Sequence, residues 1–286
     1  MTRTLRLAVP NKGRLEEPTA TLLRDAGLVF EKTERALSVV VHNVDLELLF
    51  VRADDIPEMI ADGVAELGIT GQDLLAEHGN GLPVLAELGY GRCRLVAAVP
   101  RNVEAEKAED FAGFRVATSH PRVTADFFAG RGVDVTIVPL KGSVEVAPKL
   151  DVADAVVDLV STGSTLMVNG LEPVGTILES QAVLAANPNA VRARSAEVEQ
   201  VVTALSAVVA GRGKRYLLLN APAGAVDKMA EIIPGMESPT VVPLAEEGWV
   251  AVHSVVDADD VWNVLPDLKA LGGRDILVLR IQQLIA

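Results

Sequence analysis

The chain has one cysteine, Cys93, so no intrachain disulfide framework is available and a reducing, cytoplasmic setting is expected. In "GRCRL", Cys93 reads as a core cysteine at a strand start, although the flanking arginines could lower its pKa. No apolar run approaches the roughly 20 residues that span a bilayer. The apolar stretch before Asn11 and Lys12 is too short for a secretory signal. The four histidines (His42, His78, His120 and His253) lie far apart, with no spacing that suggests a zinc site. Positive charge is also scarce. A net charge of −13 excludes a broad nucleic-acid-binding face, which needs a basic excess. A small anionic substrate is not excluded, since it needs only a local cluster of cations or backbone N–H groups.

What the chain does have is 286 residues that are 49% hydrophobic, enough for two or three domains with cores of their own. Strand-like and helix-like runs alternate, which indicates an α/β fold. "LRLAVP" (5–10) reads as a strand and "GRLEEPTATLLRDAGL" (13–28) as a helix closed by Gly27. Residues 46–70 read strand, helix, strand, with Asp54 or Asp55 opening the helix and Gly63 ending it, and "GQDLLAEHG" starts a further helix. "FRVATSH" (114–120), "PRVTADFFAGRG" (121–132) and "VDVTIVPL" (133–140) repeat the strand–helix–strand rhythm, with Pro121 at the helix start. "SVEVAPKLDV" reads as a short helix before the strand "ADAVVDLV" (153–160).

"GVAELGITGQDLL" (63–75) and "DVADAVVDLVSTGSTLM" (151–167) share one plan: an acidic residue, an apolar strand, a Thr-Gly pair, a helix. Two α/β lobes across a cleft follow, with both Thr-Gly pairs at the carboxyl ends of strands, where such sheets bind ligands. After the amphipathic helix "SAEVEQVVTALSAVVAG" and the glycine-rich "AGRGKR" (210–215), the last stretch reads β-α-β-β-α-β, the ferredoxin-like order.

Two loops carry the chemistry. Ser161, Thr162, Gly163, Ser164 and Thr165 follow a buried strand and precede a helix. Free N–H groups at a helix start, hydroxyl donors and a turn-forming glycine together make an anion site. Asp154 and Asp158 are four apart, so they share one face of the strand. Asp158, beside the loop, suits sugar hydroxyls; Asp154 is the more easily explained as structural, paired with a nearby Lys or Arg, though it is counted with the ligand-facing acids. In "VPNKGRLEE" (9–17), Lys12 and Arg14 stand at a strand-to-helix turn, where cations oppose the helix dipole and an anion would offset them.

"NKGRL", "DIPEMIADGVAELGITGQDLL", "RVATSHP" and "EVAPKLDVADAVVDLVSTGSTLMVNGL", in this order, closely resemble the ATP phosphoribosyltransferase family, first in histidine biosynthesis. The C-terminal "GMESPT" resembles the regulatory domain of its long form. The resemblance implies a two-lobed fold like that of periplasmic binding proteins, plus the C-terminal ferredoxin-like domain. Lobe I would comprise 1–90 and 180–210, lobe II 91–179, and the histidine-binding domain 211–286. It further implies that ATP and phosphoribosyl pyrophosphate condense with Mg²⁺ present, that histidine inhibits, and that the chain forms homo-oligomers, dimer to hexamer.

Residue by residue, the same resemblance puts Ser161–Thr165 on the ribose 5-phosphate and Asp158 on the ribose hydroxyls, with Glu145 near the same ligand. Lys12 and Arg14 would face the polyphosphates. Arg52, Gly71, Gln72 and Asp73 would line the opposite wall, and Thr118 and His120 the nucleotide site. Asn220, Met236, Ser238 and Thr240 would surround bound histidine. A non-catalytic two-lobed binding protein, a phosphoribosyltransferase for another base, and a pseudoenzyme serving as a regulatory subunit, against which the intact Asp158-to-Thr165 loop argues, are the alternatives.

Overall fold

The computed structural model describes residues 4–33, 36–79, 81–161, 163–233, 235 and 238–285. They form two compact units, one from the chain up to Thr21 together with Leu28–Val202, the other from Leu22–Gly27 and the chain from Thr203 onward.

In chain order, the first lobe contains β1 (Leu5–Pro10), α1 (Glu16–Asp25), β2 (Ser38–Val40), β3 (Leu46–Val51), α2 (Ile56–Ala61), β4 (Leu67–Gly71), α3 (Gln72–His78) and β5 (Val84–Glu87). The second contains β6 (Cys93–Pro100), β7 (Arg115–Thr118), α4 (Pro121–Ala129), β8 (Thr136–Pro139), a 3₁₀ segment at Val144–Leu150, β9 (Ala155–Val160), α5 (Ser164–Val168) and β10 (Leu171–Ser180). The chain then returns through β11 (Ala182–Ala186), α6 (Pro188–Ala193) and α7 (Ser195–Arg212). The first sheet runs β2-β3-β1-β4-β11-β5 and the second β10-β6-β9-β7-β8.

β1 lies parallel to both β3 and β4, and β11 is antiparallel to β4. Leu5, Leu7, Ala8 and Val9 are all buried, as expected of a parallel strand covered on both faces. β7 and β9 are parallel neighbours in the second sheet. There Leu95, Ala97 and Val99 of β6 join Phe111, Phe128 and Val157 in one core, while Val96 and Ala98 join Val144, Leu166 and Leu171 in the other. Alternate side chains of one strand thus fill two cores. The chain crosses between the lobes twice, and the crossings bond to each other: Leu88 N–H donates to Ala182 O and Ala182 N–H to Tyr90 O, both at 2.9 Å.

The second unit contains β12 (Lys214–Pro222), α8 (Val226–Ile232), β13 (Thr240–Pro243), β14 (Trp249–Asp257), α9 (Val261–Ala270) and β15 (Arg274–Arg280), in sheet order β13-β14-β12-β15. Leu217, Leu219 and Ala221 of β12 pack with Met229, Val264 and Leu268 of the helices. The α/β, two-lobed and ferredoxin-like elements expected from the sequence are present. Among the described residues no helix is long and apolar enough to cross a membrane.

Local chemistry shifts several element ends. Asp55 does open α2 by position, but a 3₁₀ turn at Ala53–Asp55 leads into the helix, and Asp55 is already in the helical region (φ −85°, ψ −17°) without a capping bond. A capping side chain needs an extended backbone to swing back onto the first turn, and the 3₁₀ turn removes it. α1 begins at Glu16, three residues late, because Gly13 takes φ +81°. β15 stops at Arg280; beyond it Leu284 N–H donates to Ala207 O instead of a strand. Strands β2, β5, β10 and β11 are not anticipated at all.

Gly68, in β4, shows how tightly α2 is seated. A Cβ there would lie 2.5 Å from Ile56 Cγ2 and 2.7 Å from Ile60 Cδ1, and both isoleucines are fully buried. Gly68→Ala should destabilise the protein by about 1–3 kcal/mol through overpacking. A urea midpoint equivalent to less than about 0.5 kcal/mol of change would show that the α2 layer yields freely.

Candidate active site

The two anticipated loops lie at carboxyl ends of parallel strands. Lys12, Gly13 and Arg14 follow β1, Arg52 follows β3, and Gly71 closes β4, which brings these residues along one edge of the first sheet. Thr118 ends β7, and Ser161 to Thr165 follow its neighbour β9. Lys12, Arg14, Arg52, Ser161, Ser164 and Thr165 are exposed. Thr162 lies outside the described residues. Gly163 takes φ +83°, a left-handed conformation that glycine adopts without a Cβ clash, and it delivers the chain into α5.

Asp158 is half-buried near the end of β9, and Leu159 N–H donates to its Oδ1 at 2.8 Å. Burial pushes its carboxyl above the ordinary 3.8; the Leu159 N–H opposes this, the negative Glu145 adds to it, and His120 opposes it. Glu145, on the 3₁₀ segment, therefore stands near Asp158. Asp154 is at the other end of the strand and is engaged. Arg115 Nη2 donates to its Oδ1 at 2.8 Å, and Arg115 N–H and Nε donate to its Oδ2 at 2.8 and 3.1 Å. The four-residue spacing does put both acids on one face, but about 13 Å of strand separates them. A surface depression of about 480 Å³ beside Asp154 is lined by Phe114, Pro148, Lys149, Asp151 and Asn169, and Asn169 Nδ2 donates to Thr165 O at 3.0 Å.

Asp73, at the start of α3, is 1% exposed. Its Oδ1 accepts from Ser180 Oγ at 2.5 Å and from Arg14 Nη2 at 3.4 Å, and Arg14 Nη1 donates to Gly91 O at 2.6 Å. Its Oδ2 faces Nε2 of His120, across the lobes, at 3.4 Å. Burial raises this carboxyl, but His120, Ser180 and Arg14 outweigh it, leaving the pKa below 3.8. Gly71 must lack a side chain here, since a Cβ would strike Asp73 Oδ1. Gln72 N–H is taken by Gln181 O at 2.9 Å.

His120 is 3% exposed and presents no open face for stacking. Its N–H donates to Thr118 Oγ1 at 2.9 Å, and Thr124 Oγ1 donates to its carbonyl at 2.7 Å. The Thr118 hydroxyl is thus buried in the start of α4. Cys93 is buried, and burial pushes its thiol up, against Arg14; it has the character of a core cysteine.

Sequence reasoning missed Ser180, Glu77, Arg122 and Asn11. Extending the β1 registers places Asn11 between Arg52 and Gly71. Among the described residues, the buried side-chain polar atoms without a hydrogen-bond partner are Asn11 Oδ1, Asp73 Oδ2 and His120 Nε2, each just past the carboxyl end of a strand. In the second unit, Asn220 donates to Asp275 Oδ2 at 3.0 Å, while Ser238 and Thr240 are exposed and Met236 lies outside the described residues.

The ATP phosphoribosyltransferase (HisG) family model matches residues 52–207, and that of the HisG C-terminal domain matches 211–283. An ATP phosphoribosyltransferase of Gemmatimonas aurantiaca is 48% identical, covering 98% of this chain and 99% of the relative. One of Cytophaga hutchinsonii is 39% identical over the whole of both chains. Among solved structures, the ATP phosphoribosyl transferase (HisG:HisZ) complex from Thermotoga maritima has a chain that superposes with a TM-score of 0.63 at 33% identity, covering 72% of this chain and 98% of that one.

The two aspartates titrate in opposite directions. A carboxyl raised by folding contributes stability below its unfolded pKa and loses it as pH rises through the folded value. A lowered one contributes above the unfolded pKa and loses it as pH falls. Asp158→Asn should therefore raise the melting temperature at pH 7, with the gain fading below the unfolded value of about 4. Asp73→Asn should cost about 1–3 kcal/mol at pH 7, because Ser180 and Arg14 lose a charged acceptor. Melting curves at pH 4 and pH 7 check both, and a loss of stability in Asp158→Asn at pH 7 would contradict the assigned strain.

Proposed function

This chain belongs to the ATP phosphoribosyltransferase family, and on that premise we propose how its cleft divides the reaction. The enzyme is a pentosyltransferase of the first step of histidine biosynthesis, acting on ATP and phosphoribosyl pyrophosphate. N1 of the adenine attacks C1′ of the ribose, the bond from C1′ to the pyrophosphate breaks, and pyrophosphate leaves with the electron pair. Positive charge builds on the ribose as negative charge builds on the leaving group.

The observation that carries the assignment of roles is the segment from Asp158 to Thr165, at the carboxyl end of β9. Ser161, Thr162, Gly163, Ser164 and Thr165 hold the 5-phosphate with hydroxyl and backbone donors. Asp158, under strain when free, accepts the ribose hydroxyls, and Glu145 flanks the same sugar. Lys12, Arg14 and Arg52 meet the polyphosphates. Asp73 holds Arg14 in place through the 3.4 Å contact, so that the guanidinium is oriented before substrate arrives. Gly71 and Gln72 complete this wall. Thr118 and His120, both buried, support the nucleotide side from behind. Holding the two substrates in line supplies much of the acceleration.

A divalent cation accompanies this reaction, and we assign it as Mg²⁺. Among the described residues no three His, Cys, Asp or Glu side chains form a cage for a metal. Glu145 and Asp158 offer two neighbouring carboxylates, a donor set that suits an ion carried mainly by substrate phosphates. When bound, it would neutralise charge on the departing pyrophosphate.

Residues 1–210 would carry the catalysis and 211–286 the response to histidine. Asn220, Met236, Ser238 and Thr240 form the proposed histidine site, where Asp275 places a carboxylate beside Asn220. Homo-oligomers from dimer to hexamer complete the reading.

Mixing the protein with ATP, phosphoribosyl pyrophosphate and Mg²⁺ should change the ultraviolet absorbance and release pyrophosphate only when all three are present. Thr165→Ala should raise the KM for phosphoribosyl pyrophosphate about 10- to 150-fold, the value of a hydrogen bond to a charged group. Ser238→Ala and Thr240→Ala should raise the histidine concentration needed for inhibition and leave uninhibited turnover as it was. No product from the unaltered chain would refute the catalytic reading, and indifference to histidine the regulatory one.

A further inference from the structure

Asp73 and Glu77 are one helical turn apart on α3, so they face the same way, and both are buried, at 1% and 5% exposure. A buried carboxylate is costly unless hydrogen-bonded. The partners of Glu77 come from the other lobe: its Oε1 accepts Arg122 N–H and its Oε2 accepts Val123 N–H, each at 2.9 Å. These are the second and third residues of α4, whose N–H groups a capping side chain normally serves. The residue in the capping position of α4, His120, makes no such bond. Arg122 returns the contact. Its Nε donates to Glu77 O at 2.7 Å and its Nη2 to Ala76 O, carbonyls in the last turn of α3. Each helix therefore caps the other, with an anion at the start of α4 and a cation at the end of α3, as their dipoles favour.

We propose that this reciprocal capping is a positioning device for the reaction, with Glu77 and Arg122 as its positioning residues. The proposal rests on the roles assigned above, because α3 and α4 begin at the two cleft walls, Gly71–Asp73 and Thr118–His120. The crossings at Leu88–Arg92 and Gln181 lie side by side and leave one rotation free, as a hinge does. The α3–α4 seam is a further contact between the lobes, and it removes that rotation. It holds the walls at working separation in the empty cleft. It also fills the anion-binding end of α4, so substrate phosphates are left to the loop before α5 and to the basic turn after β1. If the seam is loosened, the working arrangement is populated for a fraction of the time, and the apparent affinities for both substrates fall by that same fraction.

Glu77→Gln keeps the size of the side chain but removes the charge and one of the two acceptors. In the full chain, amide exchange at Arg122 and Val123 should quicken at least about tenfold while amides of β1 and β9 keep their rates. The KM values for ATP and phosphoribosyl pyrophosphate should rise together, by a common factor of about 5- to 30-fold, with a smaller change in kcat. Arg122→Lys, which keeps the cation but not the fork, should act in the same direction and more weakly; it carries the test if Glu77→Gln does not fold. The double variant should be little worse than the more severe single one, since both belong to one seam. Unchanged exchange at residues 122 and 123 would overturn the proposal. So would a rise in KM for one substrate alone, or a lower melting temperature with both KM values intact. Failure of the unaltered chain to use ATP and phosphoribosyl pyrophosphate would instead refute the functional reading, and the exchange rates would still decide the seam.

Discussion

Two carboxylates buried one turn apart on a seven-residue helix are the constraint on which the catalytic unit turns. Neither would stay ionised in an apolar interior, and neither finds its partners within its own lobe alone. Glu77 takes two backbone N–H groups and Asp73 an imidazole from the second lobe, while Arg14 and the strand-end Ser180 complete the set around Asp73. Burying these charges and joining the lobes are one event. The cleft between the carboxyl ends of β1, β3 and β4 and those of β7 and β9 has its shape because that event has a single geometry.

The cleft separates tasks by electrostatic state. On the first wall, Arg14 is already paired with a carboxylate whose pKa is lowered, which orients its guanidinium and partly offsets its charge. On the second wall, Asp158 is in the reverse condition: burial and the nearby Glu145 disfavour its charge. A hydrogen-bond donor to that carboxylate would relieve the penalty. An acid with a lowered pKa and one with a raised pKa thus stand on the two walls.

Much of this was legible along the chain. The alternation of apolar runs and helical stretches follows from backbone periodicity and short-range sterics, and it gives the α/β class, the ferredoxin-like order and the placement of Gly71 and Gly163 between strand and helix. The basic turn at Lys12–Arg14 and the hydroxyl loop at Ser161–Thr165 were visible because each gathers its chemistry within a few residues. Strands such as β10 and β11 were not, since they carry few turn signals and earn their pairing from strands far away in sequence. The helix opening expected at Asp54 or Asp55 falls at Asp55, but a 3₁₀ turn leads into it and no capping bond forms.

What the sequence by itself determined, then, is the order of elements, the positions of the basic turn and the hydroxyl loop, and the family resemblance, because these depend on residues near one another in the chain. Tertiary structure decided which charges are spent on architecture and which are left for substrate. Asp154 looks like a second ligand-facing acid until Arg115, 39 residues away, is folded onto it. His120 is expected to line the nucleotide site, and Asp73 and the start of α4 enclose it. Glu77 carries no motif at all, and only the approach of α4, 45 residues on, makes it a cap. A carboxylate is defined by what donates to it, and those donors are set by the packing of distant segments, which no local pattern contains.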